Sequence, residues 1–402
     1  MLRLGIDGRA FEGKPAGTGR YVRALCTELD RLLPDAEFLV YANRPIALPV
    51  TNARWRVVDD AASAWARLPA ALWHQLRVGR LAKRDGVNVY WGCANFLPMG
   101  LPKTCSSVLT VHDFVGSHFG HTLSLKHRLM YRWFFKAGVQ CADRIVTNSE
   151  GTANRLKTYQ GRIADAVVYP CVDAQFHLLG ADQVQHVRQQ YELPTTYWLS
   201  VATLEPRKNL GTLIQAMLEL RASGQFAPAL VLVGQLGWKT SSIQTQIELA
   251  RQAGLSIIQT GFVPDEDLPG LYAGARAFIF PSVYEGFGMP VLEALACGSP
   301  VLAADVPEIR EAGGVQACYF EPSVTGTVAV LTTLLHADSG TPNSTPDSSL
   351  ADDHEPAGEG CESGRICATR EARSARAAQI RLNSPTWQSQ ATKLTTVIKG
   401  LV

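Results

Sequence analysis

Short apolar runs alternate with amphipathic stretches along most of the chain, and the alternation predicts strands and helices in turn. Leu2 to Asp7 (LRLGID) reads as a first strand. Thr18 to Leu33 follows as a helix, with Tyr21, Val22, Leu25, Leu29 and Leu32 on one face. Further strands are predicted at Glu37–Tyr41, Asn88–Tyr90, Val108–Val111, Arg144–Asn148 and Ala166–Tyr169. A helix spans Leu125 to Cys141, and Ser149 is placed as the N-cap of the next. A second alternation starts after a connector with a helix-like Asp182–Tyr191. It gives strands at Tyr197–Val201, Leu230–Val233 and Ile257–Gln259, and helices at Leu210–Ala222, Ser241–Ala253 and Asp267–Gly274. It leads into Ala277–Ala304, AFIFPSVYEGFGMPVLEALACGSPVLAA, which reads as strand, glycine loop, helix, turn, strand. Pro290 stands where a first helical turn favours proline, and Gly298 where a helix ends.

Strand and helix alternation with short connections argues for α/β architecture with doubly wound parallel sheets. At 402 residues the chain fits two such domains, and a cleft between them is the default ligand site. Residues 1–180 form the first Rossmann-like domain and 193–336 the second. A polar tract at 337–375 has almost no apolar residues and is expected to be disordered. Periodicity returns at Trp387, Ala391, Leu394, Val397, Ile398 and Leu401, predicting a terminal helix within 384–402.

Composition narrows the class. Hydrophobic content of 46% and charged content of 18% are those of a soluble globular chain. No apolar run is long enough to cross a membrane, and because the chain goes straight into a strand no signal peptide is expected. The nine cysteines are scattered without a CxxC, which predicts reduced thiols in the cytoplasm and argues against zinc. Residues 1–180 carry 23 Lys and Arg against 14 Asp and Glu, and the remainder 15 against 22. A basic first half suits an anionic partner such as a membrane surface or lipid phosphate, and equally suits charge balance between packed domains. Within it, Leu125 to Cys141 interleaves basic and aromatic residues. That pattern fits a membrane interface, or a helix packed on the sheet with its charges in water.

Candidate chemistry gathers at strand ends. A helix start aimed into the loop with Gly286 and Gly288 makes an anion site, flanked by Glu285 and Glu293. Arg207 and Lys208 lie between a strand and a helix start, where two cations can neutralise a pyrophosphate leaving group. Gly17-Thr18-Gly19 can offer backbone N–H groups at another helix start, although the GxGxxG spacing fails at Val22. His112 ends a strand, the edge where open α/β sheets bind ligands. No DxD cluster offers itself to Mg²⁺, so cations and helix dipoles would stabilise the leaving group. A nucleotide-sugar donor meets each of these needs.

At EGFGMPVLE (Glu285 to Glu293), with its flanks EALACGSPVLAADVPEI, TLEPRKNLGTLIQAM and GFVPDEDLPGLYAGARAFIFPS, the chain resembles glycosyltransferase family 4. The loosely matching GIDGRAFEGKPAGTGRYV and TVHD extend the resemblance to nearly the whole chain outside the polar tract. It implies the GT-B fold, two Rossmann-like domains facing across a cleft, and retaining transfer with no metal or other cofactor. By that resemblance Arg207 and Lys208 bind the donor diphosphate, Glu293 the ribose, and Glu285 the sugar. Phe287, Gly288 and Met289 offer backbone near sugar and phosphates, Gly17, Thr18 and Gly19 approach the pyrophosphate, and His112 sits near the sugar C6 hydroxyl. The terminal helix would cross back to the first domain. Bacterial O-antigen mannosyltransferases are the likeness that suggests GDP-mannose as donor. The acceptor would be a glycan or lipid-pyrophosphate-linked glycan, with peripheral contact at the inner face of the membrane and no nucleic acid. A glucosyl-, rhamnosyl- or N-acetylglucosaminyl-transferase, a GT-B epimerase and a non-catalytic scaffold are the rival readings.

Overall fold

The computed structural model describes residues 1–13, 17–60, 63–118, 125–238, 240–339 and 370–402. It divides into two units, Met1–Cys171 with Pro385–Val402, and Val172–Ser384.

In the first unit, strands β1 (Arg3–Asp7), β2 (Glu37–Ala42), β3 (Trp55–Asp59), β4 (Val89–Gly92), β5 (Ser106–Val111), β6 (Arg144–Thr147) and β7 (Ala166–Val167) form one sheet. The order is β3-β2-β1-β4-β5-β6-β7 and each neighbouring pair is parallel. Helices α1 (Gly17–Leu32), α2 (Ala70–Arg84), α3 (Val115–His118), α4 (Leu125–Met130), α5 (Lys136–Cys141) and α6 (Glu150–Gln160) connect them. Ser149 caps α6, its hydroxyl accepting the Thr152 N–H at 2.9 Å. A π-helical turn, Tyr131–Phe135, lies between α4 and α5, so the expected single helix is interrupted. β3 and α2 were not legible beforehand. β3 is short and half polar, and α2 buries His74 and Gln75 completely among its apolar positions, which blurs its period.

The terminal helix Trp387–Lys399 belongs to this unit. Its Ala391, Leu394 and Ile398 are wholly buried in one cluster with Leu25 and Leu29 of α1. Each such large side chain contributes about 1.5–3 kcal/mol by leaving water. Gln390 accepts the Tyr169 N–H at 2.9 Å, and the Trp387 ring meets Tyr21 edge-on at 6.0 Å.

The second unit repeats the scheme. Helix α7 (Ala181–Gln190) precedes strands β8 (Tyr197–Val201), β9 (Ala229–Val233), β10 (Ile257–Gly261), β11 (Ala277–Phe280), β12 (Val301–Ala304) and β13 (Cys318–Phe320). They form a parallel sheet in the order β10-β9-β8-β11-β12-β13. Around it lie α8 (Leu210–Ala222), α9 (Ser241–Gln252), α10 (Leu268–Gly274), α11 (Met289–Ala296), α12 (Pro307–Gly313), α13 (Val324–Ser339) and α14 (Arg370–Asn383). Both flanks of the polar tract are therefore helical: α13 runs to Ser339 and α14 starts at Arg370. Residues 340–369, the body of that tract, lie outside the described residues. Arg373 fastens α14, its Nε donating to Gly298 O at 2.6 Å, just past α11, and Nη2 to Ala273 O at 3.2 Å, in the last turn of α10.

Cys26, Cys93, Cys105, Cys141, Cys171 and Cys297 are free thiols, whereas Cys318 is disulfide-bonded. That bond departs from the expected reduced set, and the scattered spacing gave no sign of it. Among the described residues no helix is long and apolar enough to cross a membrane.

Candidate functional site

In each sheet the winding reverses beside its first strand, between β1 and β4 and between β8 and β11. Crevices at such reversals, beyond the carboxyl ends of the strands, are where open α/β sheets bind ligands. The candidate residues leave the strands there.

In the second unit, β8 runs into a 3-10 turn, Pro206–Lys208, that carries both cations. β11 runs into the loop that carries Glu285, and the Val283 N–H donates to Arg207 O at 3.0 Å to tie the two loops. Arg207 Nη1 donates to Glu285 Oε2 at 2.7 Å and to Tyr284 O at 3.1 Å. Lys208 Nζ donates to Glu285 Oε1 at 2.5 Å, its ammonium 5.4 Å from the Phe280 ring centroid. Arg207 Nε also pairs with Glu205. Two carboxylates and two cations thus share one buried place with no net charge. Burial pushes the Glu285 carboxyl up, but Arg207 and Lys208 outweigh it and hold the pKa at about 2. Burial pulls the Lys208 ammonium below its ordinary value despite Glu285, and pushes the Glu205 carboxyl up despite Arg207.

Gly288 precedes α11 with φ +117°, a left-handed backbone that a side chain would strain. Phe287 is buried and Met289 half-buried at the helix start. Glu293, expected from the sequence in the first helical turn, stands one turn into α11. It is buried, and the Tyr272 hydroxyl donates to its Oε2 at 3.2 Å. A cavity of about 400 Å³ opens on the flank of the Glu205–Asn209 loop towards α8 and α9. Glu205 of the cluster lines it, whereas Arg207, Lys208, Glu285 and Glu293 do not.

In the first unit, Gly17, Thr18 and Gly19 form the opening of α1. Thr18 is exposed, and a Cβ on Gly19 would come within 2.9 Å of Ala10 O. His112 follows β5 and is buried. Its Nε2 lies 2.8 Å from Cys93 O, a carbonyl that can only accept, so Nε2 carries the proton and Nδ1 remains an acceptor. Burial lowers the His112 pKa, against the raising pull of Cys93 O and Asp113, and the ring is neutral at pH 7. The His112 N–H donates to Asn95 Oδ1 at 2.7 Å, and Asn95 Nδ2 donates to the Tyr131 hydroxyl at 3.2 Å. Asn95 holds φ +64°, so a strained residue fixes the backbone of His112.

Two family models match in turn, one for each alternation. The model described as Glycosyltransferase Family 4 matches residues 15–176, and that described as Glycosyl transferases group 1 matches 184–323. The chain belongs to the group 1, family 4 glycosyltransferases. It is 41% identical over 138 residues to an O-antigen chain mannosyltransferase B of Escherichia coli, covering 34% of this chain and 36% of that one. It is 34% identical over 188 residues to a serotype-specific mannosyltransferase of the same species, covering 45% of this chain and 23% of that one. The chain thus spans about a third or less of the length of these curated relatives. The structure of Anabaena HepE in complex with UDP and glucose matches with a TM-score of 0.67 at 15% identity, over 100% of both chains. That likeness carries the GT-B fold.

The sequence reading of this family 4 chain missed several groups at the same sheet edges. Asp7 ends β1 and holds Arg9 through two contacts, Nε to Oδ1 at 2.9 Å and Nη2 to Oδ2 at 2.6 Å. Burial raises the Asp7 pKa, but Arg9 overcomes it and leaves it lowered. His74 itself, wholly buried beside Tyr90 at 3.0 Å, falls to about 3 through burial and Arg9 and is neutral. The acid–cation pair in GIDGR at a strand's carboxyl end was the available signal. Beyond β9 and β10, Leu236 and Phe262 are 59% and 37% exposed, apolar surface that the sequence reading did not single out.

Proposed function

We propose that the chain is a retaining hexosyltransferase that moves mannose from GDP-mannose to a glycan or lipid-pyrophosphate-linked acceptor during O-antigen-type polysaccharide synthesis. The observation that carries the reading is the Arg207–Lys208–Glu285 cluster at the reversal between β8 and β11. The relatives named as mannosyltransferases support the choice of sugar, and the one named as an O-antigen chain mannosyltransferase supports the pathway class.

In this reading Arg207 and Lys208 take the donor diphosphate, aided by the N-terminus of α11. Glu293, oriented by Tyr272, accepts from the ribose hydroxyls, and Glu285 from the sugar. The resting cluster is neutral, so an arriving diphosphate competes with Glu285 for both cations and turns that carboxylate towards the sugar. His112 offers Nδ1 as an acceptor for a sugar hydroxyl. Front-face attack then needs no side-chain nucleophile: the C1–O bond to the diphosphate breaks, the acceptor oxygen bonds to C1, and its proton passes to the leaving phosphate oxygen. Leu236 and Phe262 provide apolar surface for the base. No metal ion takes part, the two cations carrying the leaving-group charge. The protein works at the cytoplasmic side of the membrane, with peripheral contact through its basic first half.

A panel of sugar nucleotides, scored by nucleoside diphosphate release and by the anomeric configuration of the product, tests the reading. Release from GDP-mannose with retained configuration is expected. Preference for a UDP- or dTDP-sugar favours a glucosyl-, N-acetylglucosaminyl- or rhamnosyl-transferase, and no release from any donor favours a scaffold.

A further inference from the structure

We propose that the outward face of the helical stretch Arg128–Cys141 docks on an anionic lipid surface. The proposal deepens the peripheral contact named above and rests on it for its biological setting. One side of the stretch is occupied by its own unit: Phe135 and Val139 are buried, and the Phe135 ring meets Phe114 edge-on at 5.4 Å. The outward side carries Leu129 and Trp133 one turn apart, 48% and 68% exposed. Beside them Arg128, Arg132 and Lys136 form a second ridge with the same spacing, all exposed and, among the described residues, without an acidic partner. The sequence from Leu125 to Cys141 contains no Asp or Glu.

An aromatic and an aliphatic side chain flanked by cations are what an interfacial helix uses. The rings enter the headgroup region while the cations meet lipid phosphates. The ridge is only a few turns long and apolar at two large side chains. A stable protein interface needs about 800 Å² from each partner, far more than these side chains offer. A bilayer needs only shallow insertion plus charge, and the basic first half supplies the charge.

The test uses the full chain and two vesicle preparations, phosphatidylcholine alone and phosphatidylcholine mixed with phosphatidylglycerol. The chain should sediment with the mixed vesicles, poorly with the zwitterionic ones, and less as salt rises. Trp133→Glu should weaken that binding. The triple change Arg128→Gln, Arg132→Gln, Lys136→Gln should lower the partition coefficient on the order of 100-fold, from the contribution of each cation near a charged surface. Equal binding to both vesicles, no binding to the mixed ones, preference for polyglutamate over vesicles, or variants that bind like the wild type would overturn the proposal. In vesicle-free buffer these variants should keep the wild-type melting temperature and nucleotide release. A folded variant that loses release together with binding overturns the assignment to a separate docking face. Vesicle binding by a chain that releases no nucleotide upholds the docking face and removes the transferase reading.

Discussion

Replacing Glu285 with Gln removes one charge from a buried cluster of two carboxylates and two cations while keeping its shape. The carboxyl is held at about 2 against an ordinary 4.5, because Arg207 and Lys208 overcome the upward push of burial. A fall of that size is worth on the order of 3 kcal/mol at neutral pH. Removing one partner of a buried pair leads to a similar figure, about 3–5 kcal/mol. Lys208 returns part of it, since burial holds its ammonium below the ordinary 10.5. The sign follows from a folded pKa below the unfolded one. The contribution is complete above about pH 4.5, roughly half remains near pH 3, and it vanishes as pH falls through about 2.

Urea unfolding of the wild type and Glu285→Gln, at pH 7 and pH 3, reads this directly. The variant should lose about 3 kcal/mol at pH 7 and about half that at pH 3. Adding Lys208→Met should recover part of the loss by removing the stranded cation. Sugar transfer by Glu285→Gln should collapse. Its affinity for a nucleoside diphosphate should hold or rise, because the competing carboxylate is gone. A loss below about 1 kcal/mol at pH 7, the scale of an exposed ion pair, would refute the buried-cluster argument. An equal loss at pH 3 would refute the linkage, and near wild-type transfer would sink the donor-site assignment.

Tyr272→Phe removes the hydroxyl held by Glu293 at 3.2 Å. A hydrogen bond to a charged group is worth about 1.5–3 kcal/mol, so donor KM should rise roughly tenfold or more while kcat changes little. Calorimetric titration should show weaker nucleoside diphosphate binding with inorganic pyrophosphate binding unchanged, and a fall in kcat alone counts against the role. Asn95→Ala keeps the strained backbone but loses the contacts to His112 and Tyr131. Transfer should fall, with about 1–3 kcal/mol lost from stability. Asn95→Gly should regain part of the stability without the activity, and full activity in either variant removes Asn95 as a positioning residue. Prolonged EDTA treatment should leave transfer unchanged, and activity restored only by added Mg²⁺ contradicts charge neutralisation by Arg207 and Lys208 alone.

Much of the architecture could be read in advance because most strands are short apolar runs bounded by a loop and followed by a helix. Tyr197–Val201, Leu210–Ala222 and Val301–Ala304 have the same bounds in the sequence reading and in the structure. The reading failed where local pattern and burial diverge. α2 buries two polar side chains, the π-helical turn at Tyr131–Phe135 inserts into a continuous period, and β3 breaks its apolar run with Arg56 and Asp59. At the site, the one-dimensional spacing brought out Arg207, Lys208, Glu285 and Glu293 but gave no hint of how they pair. That depends on two loops 77 residues apart meeting at one sheet reversal. Asp7 and Arg9 were equally hidden, since only burial of both partners separates that pair from a surface ion pair.

The pairing alters what the two glutamates can do. Both are buried. Glu293 accepts the Tyr272 hydroxyl, which helps to fix its direction and suits an acceptor for hydroxyl groups. Glu285 is clamped by two cations, so its orientation depends on what else those cations bind. A diphosphate carries enough negative charge to draw both away, and a lone ribose carries none. If the cluster works as proposed, donor binding should therefore uncouple Glu285 from Lys208, and the pH dependence of stability should flatten near pH 3 when nucleoside diphosphate is bound. Urea unfolding at that pH, with and without the nucleotide, measures this. An unchanged slope would mean that Glu285 keeps its partners and that the diphosphate lies elsewhere.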